Sequence, residues 1–224
     1  MFNLKETTLL IQGPAGDLEL LTQRGDDQGA LRGAGYLAVI AHPHPVHGGN
    51  MSNKVVSTLA RVYRQLGIDS VRFNFRGVGN SQGSFDQGRG ELEDFLTVCD
   101  WAQQQLPTSG LLLAGFSFGS AVAAAASFVV PSGHLILVAP PVERYAYDKA
   151  GAFSQPVAVA IGEQDELVGV AGLKRWFDGL SGNKQLLVIP ETGHFFHGQL
   201  TELKDWLVQQ LVLVLDQSAA GGTR

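Results

Sequence analysis

Leu111-Leu112-Leu113-Ala114-Gly115-Phe116-Ser117-Phe118-Gly119-Ser120-Ala121-Val122-Ala123-Ala124-Ala125-Ala126 is the stretch on which the fold of this chain turns. An apolar run that reads as a buried strand meets a serine flanked by glycines two positions away on each side. An alanine-rich run with strong helix propensity follows at once. A strand that turns this sharply into a helix has no room for large side chains beside the turn, and it pushes the serine hydroxyl out above the sheet edge. The stretch therefore predicts a parallel sheet covered by helices, with Ser117 as an exposed nucleophile at a strand end.

The glycine-serine-glycine pattern is weak by itself, because the chain holds 28 glycines and a second match, Gly79-Asn80-Ser81-Gln82-Gly83. Context separates the two. Residues 82–90 are polar and glycine-rich with no helical period, which places Ser81 in a loop. Only Ser117 has strand, turn and helix in succession, a setting that resembles the nucleophile elbow of α/β-hydrolases.

Near the N-terminal end, two strand-like runs at 7–12 and 18–23 are joined by the turn Gly13-Pro14-Ala15-Gly16, which reads as a hairpin. After the loop 25–35, strand patterns at 36–41, 70–75, 110–114, 134–139, 157–161 and 185–189 alternate with helical ones. Most of these strands are continuous apolar runs, as expected for parallel strands covered on both faces. Apolar stripes Val55, Val56, Leu59, Val62, Tyr63, Leu66 and Leu92, Phe95, Leu96, Cys99 mark two helices, and Leu200, Leu203, Leu207, Leu211, Val214 mark the last. The expected architecture is a doubly wound, mostly parallel sheet with an antiparallel hairpin at its N-terminal end. The expectation is one domain over 1–224, with a frayed tail from 216 onward.

Composition narrows the function classes. With 45% hydrophobic and 17% charged residues, the 224-residue chain is globular and large enough for one substantial core. A net charge of −5 argues against nucleic-acid and anionic-membrane partners. The single cysteine, Cys99, lies on an apolar helix stripe and reads as a small core residue. The N-terminal residues lack a signal pattern, and no apolar run reaches the roughly 20 residues of a membrane span. The expected location is the cytoplasm.

A serine hydroxyl needs a base, and the base needs an orienting acid. In α/β-hydrolases these follow in the order serine, acid, histidine at successive strand ends. Asp165 lies just past the strand at 157–161, in Gly162-Glu163-Gln164-Asp165-Glu166. Glu163 and Glu166 compete for that role, and an N-cap for the following helix is the plain alternative for Asp165. His194, in Thr192-Gly193-His194-Phe195-Phe196-His197, is the expected base, whereas His197 at the threshold of the last helix reads as packing. The developing oxyanion requires N–H donors. One is expected from Phe118, directly after the nucleophile. The other is expected from the loop His42-Pro43-His44-Pro45-Val46-His47, where the prolines have no N–H and His44 is preferred over Val46.

The three histidines of that loop alternate with proline, which predicts an extended chain that scatters the imidazoles, with no acid or cysteine nearby to complete a metal site. No metal and no cofactor are expected. Arg76, among Gly77, Gly79 and Gly83, lacks the ending of a phosphate-binding loop and reads as a structural arginine in a tight turn.

Taken together, His42-Pro43-His44-Pro45 with Gly48-Gly49, Arg76-Gly77-Val78-Gly79 with Ser81 and Gly83, Gly115-Phe116-Ser117-Phe118-Gly119, and Gly193-His194-Phe195-Phe196-His197-Gly198 resemble the small bacterial α/β-hydrolases related to dienelactone hydrolase. The resemblance covers nearly the whole chain. It implies a serine hydrolase or carboxylesterase with Ser117, Asp165 and His194 as its triad. Dienelactone hydrolases proper use a cysteine where this chain has Ser117, which speaks against dienelactone activity. Residues 140–155 are too few for a multi-helix cap, so little or no lid is expected, with Tyr145, Tyr147 and Phe153 as candidates for one wall of the site. The expected substrate is a small-molecule ester. Thioester or amide hydrolysis and acyl transfer are the alternatives within the same machinery, and a non-catalytic binding protein is the alternative outside it.

Overall fold

The computed structural model describes residues 2–3, 5–107 and 110–221, with side chains through Leu215. β1 (Thr7–Gly13) and β2 (Gly16–Gln23) form the expected hairpin around Pro14-Ala15, with Gly13 opposite Gly16. β3 (Tyr36–Ala41), α1 (Lys54–Gln65), β4 (Asp69–Phe73) and α2 (Arg89–Gln105) follow. Next come β5 (Gly110–Phe116), α3 (Phe118–Ala126), β6 (Ser132–Val138) and β7 (Val157–Gly162). The chain continues through α4 (Val170–Gly179) and β8 (Lys184–Ile189) to α5 (Leu200–Gly221). The tail expected to fray from 216 has a helical backbone to Gly221, and residues 222–224 lie outside the described residues.

The eight strands lie in the order β1-β2-β4-β3-β5-β6-β7-β8, antiparallel at the hairpin end and parallel from β4 onward. Alternation of side chains in each apolar run produces two cores. Val39, Leu113, Leu137 and Val159 meet Phe95, Cys99, Ala123 and Leu173 of α2, α3 and α4 on one face. Ile40, Leu112, Ile136 and Ala158 meet Val55, Leu59, Leu203 and Leu207 of α1 and α5 on the other. Cys99 is buried and free, and burial pushes its thiol well up from the ordinary value, so it serves the core. Among the described residues, no helix is long and apolar enough to cross a membrane.

The strand order also opens a crevice. β3 and β5 are neighbours, yet the helices that follow them, α1 and α3, cover opposite faces of the sheet. The two connections diverge at the carboxyl ends of these strands and leave a gap between them, the usual place for a ligand in an open α/β sheet.

Candidate active site

Ser117 stands at the rim of that crevice, between the last residue of β5 and the first of α3. Its backbone has φ 53° and ψ −122°, a sparsely populated conformation for a residue with a Cβ. The surrounding contacts hold it there. Ser117 N–H donates to the carbonyl of Val138 at 2.8 Å, and its own carbonyl accepts from Ser120 Oγ at 2.5 Å. Since the Ser120 proton is committed, the buried Tyr147 hydroxyl donates to Ser120 Oγ, 2.7 Å away. A Cβ on Gly115 would run into the carbonyl of Gly119, and one on Gly119 into the carbonyls of Ala41 and His42. The two glycines of the motif are thus required by close approach of backbone to backbone.

The structure brings Ser117, Asp165 and His194 into one hydrogen-bonded chain. His194 Nε2 is 3.1 Å from Ser117 Oγ, and His194 Nδ1 is 3.0 and 2.8 Å from the two carboxylate oxygens of Asp165. A carboxylate can only accept here, so the neutral ring carries its proton on Nδ1 and presents a lone pair at Nε2 to the serine. The side chains of His194 and Asp165 are 2% and 0% exposed, which withdraws their contact from competing water. Asp165 Oδ1 also accepts from the N–H groups of Leu167 and Val168 at 2.9 and 2.8 Å. It therefore caps the turn ahead of α4, whose own N-cap is Gly169. Glu163 and Glu166 do not reach the ring; each accepts instead from a backbone N–H of the histidine loop, at Glu191 and His194 respectively. His197 is exposed and lies against Phe195, with ring centroids 6.0 Å apart.

The loop after β3 lines the opposite side. His42 is buried, accepts from Phe75 N–H through Nε2 at 3.0 Å and donates through Nδ1 to its neighbouring Pro43 carbonyl at 2.6 Å. The loop is not extended throughout, as the alternating prolines suggested. Pro45–His47 wind into a 3-10 turn that brings the rings of His44 and His47 to 4.7 Å, while His42 is held away in the core. Among the described residues, no cluster of three or more His, Cys, Asp or Glu side chains is arranged to hold a metal ion. Val46 N–H donates to His44 Nδ1 at 3.3 Å and the Val46 side chain is exposed, so this amide is engaged within its own turn. His44 and Phe118 both line the crevice beside Ser117.

Burial pushes His42 down to about 4, against the opposing hydrogen bond to Pro43, and burial does the same to His134 in β6. In the unfolded chain both titrate near 6.5. Between those values the unfolded chain binds more protons, so stability falls as pH is lowered from 6.5 towards 4. The loss reaches up to about 3 kcal/mol per histidine once pH is below the folded value. Denaturant unfolding at pH 7, 5.5 and 4.5 should show this decline, and a flat profile would count against it.

The crevice encloses about 390 Å³ and has aromatic walls, with Phe118, Tyr145 and Phe195 beside Leu167 and the exposed Arg144. Of the three aromatic residues expected from the 140–155 segment, only Tyr145 lines it. Tyr147 is buried against Ser120, and Phe153 stacks on Phe128 with centroids 5.3 Å apart. The segment carries turns and two isolated bridges, both at Ala152, but no helix. The second glycine-flanked serine is structural: Ser81 Oγ accepts from Glu19 N–H at 2.9 Å and donates to the Asn74 carbonyl at 2.7 Å. Arg76 is likewise absorbed by the fold, through Nε and Nη2 bonds to the fully buried Asp94 and a bond to Glu93.

Comparison with known proteins identifies the family and the fold. A structure described as an alpha-beta serine hydrolase homologue from Coxiella burnetii is 40% identical, with a TM-score of 0.87 over 94% of this chain and 98% of that one. The chain belongs to the α/β serine hydrolase family. A second structure, from Xanthomonas campestris and described as a member of the α/β serine hydrolases without a lid, is 37% identical, with a TM-score of 0.87 over 95% of both chains. Residues 42–148 match the family described as Hydrolase_4, serine aminopeptidase S33. A dienelactone hydrolase from Anabaena variabilis shares the fold at 15% identity, with a TM-score of 0.76 over 94% of this chain and 98% of that one.

In this α/β serine hydrolase, sequence reasoning misses three features around the site. The Tyr147–Ser120 support of the elbow and the Arg144 and Leu167 positions in the wall depend on how 140–155 and 162–169 fold back over the sheet edge. Glu166 reads in the sequence only as a rival to Asp165, and its bond to the His194 amide has no sequence signature.

Proposed function

We propose that this chain hydrolyses carboxylic esters of small or short acyl groups through an acyl-enzyme on Ser117. The observation that carries the reading is the hydrogen-bonded chain from the buried side chains of Asp165 and His194 to Ser117 Oγ in the crevice. Ser117 Oγ attacks the acyl carbonyl while its proton passes to His194 Nε2, and Asp165 holds the ring and stabilises the imidazolium. The oxyanion is received by the Phe118 N–H, at the positive end of α3, and by the His44 N–H across the crevice. His194 then returns the proton to the departing alkoxide. Water, activated by the same nitrogen, releases the acid and restores the serine. No metal or cofactor enters this sequence, and the partner is a small-molecule ester. The position of His44 is supported by the close packing of Gly119 on the carbonyls of Ala41 and His42, which fixes the loop backbone against the elbow.

Amide or thioester cleavage by the same groups is the second reading, favoured by the match of residues 42–148 to a family described as serine aminopeptidases. Purified protein offered p-nitrophenyl esters, a thioester series and aminoacyl p-nitroanilides decides between them, with fluorophosphonate labelling as the control for a reactive serine. Absence of both labelling and turnover would leave a binding protein.

Chain length follows from the lack of a lid. Each buried methylene contributes about 0.8 kcal/mol, and a crevice roofed only by Tyr145 and its neighbours covers the first few carbons of an acyl group. kcat/KM is expected to rise over the first few carbons and then level, with no jump when substrate forms micelles. A preference for long-chain emulsions would overturn this expectation.

A further inference from the structure

The geometry points to Glu166 as a positioning residue that anchors the backbone of His194, an inference that rests on the role proposed above for that histidine. The loop after β7 and the loop after β8 are laced together rung by rung. Glu163 N–H donates to the Ile189 carbonyl at 2.9 Å, and Gln164 N–H to the Thr192 carbonyl at 2.9 Å. Glu163 Oε2 accepts from Glu191 N–H at 3.4 Å, and the last rung is Glu166 Oε2 accepting from His194 N–H at 3.1 Å. Two adjacent carboxylates therefore hold one residue at two points: Asp165 takes the ring and Glu166 takes the main chain.

The two contacts constrain different motions. The Asp165 bonds orient the imidazole but do not by themselves fix the Cα of His194. A bond at the amide fixes that Cα and with it the reach of Nε2 towards Ser117 Oγ. Reaction rate depends steeply on such placement, since a shift of about 1 Å can cost on the order of 100-fold. A hydrogen bond to a charged acceptor is the stronger kind, although the exposure of Glu166 moderates it. Glu166 touches no reacting atom in this arrangement and acts through His194 alone.

The test uses Glu166→Ala, which removes the acceptor, and Glu166→Gln, which keeps an acceptor oxygen without the charge. Glu166→Ala is expected to lower kcat for a short-chain p-nitrophenyl ester about tenfold with KM within about twofold, while Glu166→Gln stays within about threefold of the parent. Hydrogen exchange at the His194 amide, read by NMR with β5 amides as the folding control, should accelerate in Glu166→Ala and stay near the parent rate in Glu166→Gln. Unchanged kcat and unchanged exchange in Glu166→Ala would overturn the assignment. An equal loss of kcat in both variants would overturn it too, since charge and not the bond would then matter. If the parent protein neither turns over ester nor takes the label, the proposed function fails. The His194 exchange rates then still decide whether Glu166 anchors the loop.

Discussion

Ser117→Ala is expected to reduce ester turnover by about 10⁴-fold or more and to abolish fluorophosphonate labelling, with the fold intact. The size of the effect follows from the proposed chemistry: without Oγ there is no atom to form the acyl bond, and only binding and the proposed oxyanion donors remain. The fold should tolerate the change, because the Ser117 side chain makes its hydrogen bond to His194 and the elbow is held by main-chain contacts to Val138 and Ser120. Ser81→Ala is the informative contrast. It deletes a buried hydroxyl that bridges Glu19 and Asn74, so it should cost about 1–3 kcal/mol of stability and leave labelling complete. A Ser117→Ala protein that still labels fully would remove Ser117 from the mechanism.

The second large effect is expected at the imidazole. His194→Ala should lower kcat by about 10⁴-fold, whereas the exposed His197→Ala should stay within about threefold of the parent. Asp165→Asn should approach the loss seen at His194, because an amide at that position can donate its N–H to Nδ1 and trap the tautomer with its proton on Nε2, turned against the serine. Its turn-capping bonds to Leu167 and Val168 can be kept by the amide oxygen, so the loss should appear in kcat with little change in thermal stability. Steady-state kinetics on one short-chain ester with all three variants settles the order. Equal losses at 194 and 197 would show that the ring opposite Ser117 has been misassigned.

His42 links the candidate site to stability in acid. The same ring that ties the Pro43 carbonyl to the Phe75 amide braces the loop carrying His44, whose N–H is proposed above as an oxyanion donor. Protonating it in the folded protein removes the Nε2 acceptor, so support for the proposed oxyanion donor should be lost only near pH 4, after stability has already been falling from about 6.5.

Much of this protein is legible in its amino-acid sequence. The apolar run 111–114, the glycines around Ser117 and the alanine run after it define strand, turn and helix through local constraints: alternation, propensity and the absence of side-chain volume. Chain order then places an acid after β7 and a histidine after β8. Local rules are less reliable where the chain leaves regular structure. The prolines at 43 and 45 suggest an extended loop, yet Pro45–His47 close into a turn, because Pro tolerates the first position of a helical turn as readily as an extended one. Three carboxylates within four residues look interchangeable in the sequence. Only the lacing of two loops from neighbouring strands sends Asp165 to the ring, Glu163 to one amide and Glu166 to another. The crevice itself is a product of strand order, since it exists because β3 and β5 lie side by side while α1 and α3 depart to opposite faces. Sequence alone determined which residues are candidates for the chemistry, through short-range pattern. Tertiary structure decided which of their atoms meet, because hydrogen bonds between residues 29 and 77 positions apart depend on strand neighbours that no local pattern encodes.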